Sequence, residues 1–98
     1  MAYIVRYYPK AEIEYFEAYD WYKQRLEGLE GRFESCTGDK INDIIDNPLQ
    51  FPNKKYNSRE CKVSDFPYLI VYKVYPKKQL ILIISIFHTS RNPKKKYR

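Results

Sequence analysis

Histidine, cysteine and glycine are scarce in this sequence, with one, two and three copies in 98 residues. Each scarcity removes a class of chemistry. A single histidine leaves almost no room for a histidine-based metal centre. Cys36 and Cys61 are too few for a disulfide scaffold and do not stand at zinc-ligand spacing. Neither a metal nor a cofactor is therefore expected, and the cysteines read as free thiols of a reducing cytoplasm. There is no glycine-rich phosphate loop and no serine-centred nucleophile elbow. The longest wholly apolar run, Leu80 to Ile84, is far short of the ~20 residues of a membrane span. Met1-Ala2-Tyr3-Ile4-Val5 meets Arg6 at once, without the apolar stretch of a secretory signal. A single soluble, cytoplasmic domain over residues 1–98, with no membrane partner, is the expectation.

What is abundant is aromatic and charged. Aromatics make up 17%, with eleven tyrosines, which suits a thin two-layer domain whose side chains end at the surface. The formal charge of +6 is the sum of two unlike halves. Residues 11–34 hold seven acids against Lys23, Arg25 and Arg32, while residues 51–98 hold twelve Lys and Arg against Glu60 and Asp65. A basic tail begins near residue 91, with Arg91, Lys94, Lys95, Lys96 and Arg98. Such separation favours a polyanion or an acidic protein partner; a solvated tail that only keeps the chain soluble is the plainer alternative.

The pattern predicts an α+β domain in the order β-α-α-β-β-β, a four-stranded antiparallel sheet with an αα-hairpin packed on one face. Tyr3–Tyr8 is β-branched and aromatic, and Pro9 closes it as a strand. Tyr15, Ala18, Tyr22 and Leu26 recur at helical spacing across residues 11–27, with Gly28 as the stop. A second helix is expected from about Arg32 to Asn47, irregular at Cys36-Thr37-Gly38-Asp39, where every residue is a poor helix former. Three strands follow at 56–63, 68–75 and 80–87. The last is the most apolar and is expected at the centre of the sheet.

The basic residues Lys54, Lys55, Arg59 and Lys62 lie before and within the second strand, and His88 and Arg91 follow the last. A meander can gather Arg59, His88 and Arg91 on the sheet face that the helices leave uncovered. There, a metal-free ribonuclease would use His88 as acid or base and the arginines as a phosphate clamp. Alternatively, His88 ends the strand on backbone and the arginines pair with Glu60, Asp65 or a partner's carboxylates. Lys54, Lys55, Lys62, Lys94 and Lys95 are the candidate contacts to nucleic acid or another target. On the first helix, Ile13 and Phe16 fall off the main stripe. They either pack between the helices or form a docking groove for another chain.

Taken in order, Glu17-Ala18-x-x-Trp21-Tyr22, Gly28-Leu29-x-x-Arg32-Phe33, Asn47-Pro48-x-x-Phe51-Pro52, Phe66-Pro67-Tyr68-x-Ile70-x-Tyr72 and Ile86-Phe87-His88-Thr89-Ser90-Arg91-Asn92-Pro93 resemble the RelE/ParE superfamily of bacterial type II toxins. The resemblance covers Tyr3 to about Lys96. Departures fall at Glu30, where the family usually has glycine, and at Thr37-Gly38-Asp39-Lys40, where it prefers apolar helix formers. The resemblance implies growth arrest and a cognate antitoxin, which should carry an acidic toxin-binding segment and meet Ile13, Phe16, Arg59 and Arg91. It also implies one of two targets. ParE-like members poison DNA gyrase; RelE-like members cut mRNA on the ribosome, which would make His88, Arg59 and Arg91 catalytic. The Phe-Pro-Tyr and His-x-x-Arg-x-Pro motifs stand closer to the ParE-like side. A non-toxic basic binding module of the same fold is the third alternative.

Overall fold

A computed structural model describes residues 3–96, apart from the side chain of Lys95. The expected contact at Lys95, and the tail residues Tyr97 and Arg98, therefore lie outside the described residues. A strand, β1 (Ile4–Tyr7), leads into helix α1 (Pro9–Arg25). Pro9 suits the first helical position, where its missing N–H is no loss. Gly28 turns the chain with φ +85°, the left-handed region that favours glycine, and helix α2 (Leu29–Asp46) returns alongside α1. Three strands complete the sheet: β2 (Arg59–Lys62), β3 (Tyr68–Tyr75) and β4 (Leu80–His88), in the spatial order β1-β4-β3-β2.

The sheet is mixed, not wholly antiparallel as expected. β2, β3 and β4 form the antiparallel meander, but β1 runs parallel to β4, with Ile4 opposite Leu80 and Tyr7 opposite Ile83. A tight turn forces antiparallel pairing; the long helical connection from β1 imposes no such constraint. β4 takes the expected central place, and β1 becomes an exposed edge.

The core lies between this sheet and the helices. Phe33 and Ile44 of α2 and Ala11 and Ala18 of α1 pack on Ile70, Tyr72, Ile81, Ile83 and Ile86. Around Phe33 the rings of Tyr15, Tyr22, Phe66 and Tyr68 stand with centroids 5.3–5.5 Å away, Phe66 and Tyr68 edge-on and the two tyrosines of α1 tilted, within the spacing that aromatic pairs prefer. This packing also corrects the expectation for α2, which runs unbroken through Cys36–Lys40. Thr37 is buried there and Cys36 and Ile41 lie against the core, so tertiary burial outweighs a propensity deficit of about 1 kcal/mol at Gly38. Leu26, expected in the α1 stripe, is instead exposed beyond the helix end.

The opposite sheet face carries Val71, Ile84 and Phe87, all buried. The C-terminal turn reaches across it: Lys96 Nζ lies 5.6 Å above the Phe87 ring and 3.0 Å from Glu60 Oε2.

Candidate functional site

One irregularity in β4 places the residues of interest. Tyr72 pairs with Ile83 but Val71 with Ser85, which leaves Ile84 as an extra residue, a β-bulge. Strict alternation from Ile83 would turn His88 to the open face. The bulge shifts the parity by one, so Ile86 and His88 face the helices. Glu14 of α1 fits the bulge. Its Oε1 accepts the Ser85 hydroxyl at 2.8 Å and the Ile86 N–H at 3.1 Å, and the residue is only 8% exposed. Sequence reasoning counted Glu14 merely among the seven acids of residues 11–34. The usable signal was the line Ala11, Glu14, Ala18 at helical spacing, together with Ser85, a lone polar residue in an apolar strand.

His88 and Arg91 meet at this end of the sheet, under α1. The His88 ring lies edge-on to Tyr68 at 5.0 Å. Its Nδ1 accepts the Ser90 N–H at 3.1 Å and lies 2.7 Å from Ser90 Oγ, which puts the proton of the neutral ring on Nε2. Arg91 reaches Glu14 Oε2 at 3.9 Å and Glu17 Oε1 at 4.0 Å. The two residues line a cleft of about 630 Å³ with Glu17, Asp20, Trp21 and Tyr68. Burial pushes the Tyr68 hydroxyl up to about 12, so it stays a neutral hydrogen-bonding group.

Arg59 does not join them. It is paired with Tyr72, and His88 with Tyr68. Four residues along β3 and two strand widths therefore separate their backbones by about 16 Å. The Arg59 guanidinium donates to the Phe51 carbonyl at 2.6 Å and the Leu49 carbonyl at 3.2 Å, fastening the segment after α2 to β2. Since Tyr72 belongs to the core, Arg59 also lies on the helix side, because cross-strand partners share a face. The expected patch of Arg59, His88 and Arg91 on the uncovered face does not form. Nor do the arginines pair with Glu60 and Asp65, whose partners are Lys96 and Arg32.

The open face has its own cationic feature. Lys54, Lys55, Lys73, Lys94 and Lys96 line a cleft of about 960 Å³ whose one lining acid is Glu60, already paired with Lys96. Lys62 turns away, with its Nζ 3.4 Å from the carbonyl oxygens of Val63 and Phe66. On α1, Ile13 and Phe16 are 59% and 58% exposed, so they do not pack between the helices. Pro9, Glu12, Glu17 and Asp20 surround them.

Comparison with known proteins agrees with this architecture. No curated protein matches the sequence. Among solved structures, a chain of the chromosomal ParDE toxin–antitoxin system from P. aeruginosa superposes with a TM-score of 0.70 at 17% identity, over 90% of this chain and 97% of that one. A chain of the intact E. coli RelBE toxin–antitoxin complex gives 0.63 at 19% identity, over 92% and 100%. The isolated E. coli RelE toxin gives 0.63 at 16%, over 95% and 90%. At such identities the likeness is one of fold. The family model for the ParE toxin of the type II toxin–antitoxin system, parDE, matches residues 5–93. That match takes in both helices, the mixed sheet and the His88–Arg91 turn, and the chain accordingly belongs to the ParE family of type II toxins within the RelE/ParE superfamily.

Proposed function

We propose that this toxin arrests growth by engaging DNA gyrase and does not cut RNA, and that an antitoxin encoded beside it holds it silent. The observation that carries the reading is the dispersal of Arg59, His88 and Arg91. A phosphate clamp needs cationic donors within about 3 Å of one developing oxyanion. Here the Arg59 and His88 backbones stand about 16 Å apart, the Arg59 guanidinium is spent on two carbonyl oxygens, and Arg91 faces the carboxylates of Glu14 and Glu17. The antitoxin would lay an acidic segment along the lysine cleft of the open face, where Lys54, Lys55, Lys73 and Lys94 have no ion pair among the described residues. Antitoxin segments that fold on binding would make that interface large for so small a protein.

Induction of the toxin alone, followed by primer extension on cellular mRNA and a gyrase supercoiling assay, tests the target. Lost supercoiling with intact mRNA is the expected result. Cuts within codons, with supercoiling untouched, would instead establish the RelE-like ribonuclease reading. In that event His88→Ala and Arg59→Ala should each lower cleavage sharply. A frayed second helix would have favoured the non-toxic alternative, but α2 is continuous; unimpaired growth at normal toxin levels would establish it.

A further inference from the structure

The weak middle of α2, the departure from the family pattern at Thr37-Gly38, has a structural consequence beyond helix propensity. Beside Gly38 the chain leaves a hole. Thr37, Gly38, Ile41 and Glu34 of α2 face Glu12, Tyr15 and Phe16 of α1 across a pocket of about 310 Å³. A Cβ added at Gly38 would meet nothing within 4 Å. Thr37, 1% exposed, is among the residues that line it, and its Oγ1 has no hydrogen-bond partner among the described residues. A buried hydroxyl left in that state is costly unless something comes to it. The carboxylates of Glu12 and Glu34 also line the pocket, and it adjoins the exposed Phe16 and Ile13.

We infer that this interhelical pocket receives an anchor side chain of the antitoxin, an aromatic residue with a polar edge (tyrosine or tryptophan) flanked by lysine or arginine. The aromatic body matches the apolar lining and its polar edge would satisfy Thr37. The basic flanks would answer Glu12 and Glu34, with Glu17 and Asp20 beyond them. The inference rests on the antitoxin proposed above and adds a second contact of opposite charge. An acidic stretch lies on the lysine cleft and a basic-flanked aromatic anchor lies between the helices, so one antitoxin embraces both faces.

Substitution at Gly38 separates this from a merely structural cavity. A leucine there leans toward the preceding turn, onto Glu34, and fills the pocket. It also removes a mid-helix glycine, so Gly38→Leu should raise the melting temperature of the free toxin. Its affinity for the antitoxin protein proposed above should fall about tenfold or more, as loss of a central anchor does. Gly31→Leu is the control: it gains the same helix propensity at an exposed site outside the pocket and should bind like wild type. Thr37→Val should likewise stabilise the free toxin while weakening the complex about threefold. Exchanging Glu12 and Glu34 for glutamine should weaken it at low salt and much less at high salt. Equal binding by wild type and Gly38→Leu would overturn the pocket assignment and leave the antitoxin reading standing. Failure of that protein to bind wild type would overturn both. Dimerisation of the free toxin that Gly38→Leu abolishes would give the pocket to a second copy and overturn the assignment.

Discussion

The α1 side and the open sheet face of this domain lie on opposite sides of one small core, and they use charge differently. On the α1 side, the buried charge is built into the structure: Glu14 accepts two hydrogen bonds at the bulge and faces Arg91. On the open face, one ion pair between Lys96 and Glu60 is sheltered, while the cleft around it gathers four further lysines with no acid of their own among the described residues. Lysines left together repel one another and weaken the compact state slightly. Carboxylates that receive a bulge hold a strand in register. The contrast assigns the first set to folding and the second to a partner.

The largest expected effect tests the built-in charge. Glu14→Ala removes the acceptor of the Ser85 hydroxyl and of the Ile86 N–H, two buried donors. Each buried donor left without a partner costs about 1–3 kcal/mol, so a loss of about 3 kcal/mol is expected in urea denaturation. The same change on the other face, Lys54→Ala or Lys55→Ala, should stay within about 0.5 kcal/mol. A stability loss as large at Lys54 as at Glu14 would break the comparison.

Arg59 belongs to the basic half by sequence but to the built-in set by structure. Its guanidinium ties two carbonyls after α2 to β2. Arg59→Ala is expected to cost about 2 kcal/mol through lost charge-assisted hydrogen bonds. A nonspecific protease such as proteinase K should then cut within residues 49–53 faster than in wild type. Equal protease resistance would show that Arg59 is a surface cation like the lysines.

How much of this could be read from residues alone follows from the same distinction. The order of elements, the central β4 and the acid–base division were legible because periodicity and composition are local properties. The family motifs supplied the fold. The direction of β1 was not legible, since no short turn fixes it. Nor was the site: the side on which His88 emerges depends on one extra residue at Ile84, and a bulge leaves almost no trace in an apolar run such as Leu80–Phe87. Ser85 and Glu14 were that trace, distant in sequence and meaningful only together. Reading Cys36-Thr37-Gly38-Asp39 as poor helix formers predicted an irregular α2, but the helix kept its course, and what marks Gly38 is missing side-chain volume beside a pocket.

The buried groups between the layers give a pH signature. Burial pushes the Cys61 thiol from 9.0 to about 11 and the Tyr72 hydroxyl from 10.0 to about 12, the latter despite the nearby Arg59 cation. In both cases the unfolded chain releases its proton first. Stability from these groups is therefore intact below about pH 9 and is lost progressively as pH rises toward about 12. Tyr72 also donates to the Pro48 carbonyl at 2.7 Å, so Tyr72→Phe should cost about 1 kcal/mol at neutral pH. The variant has no phenol to ionise, so its deficit should shrink above pH 10 and reverse near pH 12. A deficit constant across that range would mean that the Tyr72 hydroxyl ionises as easily folded as unfolded.

The smallest effect is the sharpest control on the comparison. Arg32 and Asp65 join the start of α2 to the β2–β3 turn at 3.1 Å, but both side chains are about two-thirds exposed (65% and 64%). An exposed pair gains little, because water screens the attraction and two long side chains lose freedom in holding it. Asp65 also sits at φ +67°, a left-handed conformation that asparagine tolerates nearly as well. Asp65→Asn therefore removes the charge and leaves the turn, and should cost no more than about 0.5 kcal/mol at low salt, and nothing measurable at high salt. A salt-independent loss approaching that of Glu14→Ala would mean that exposed charge also builds this fold, and that exposure does not separate the structural charges from those awaiting a partner.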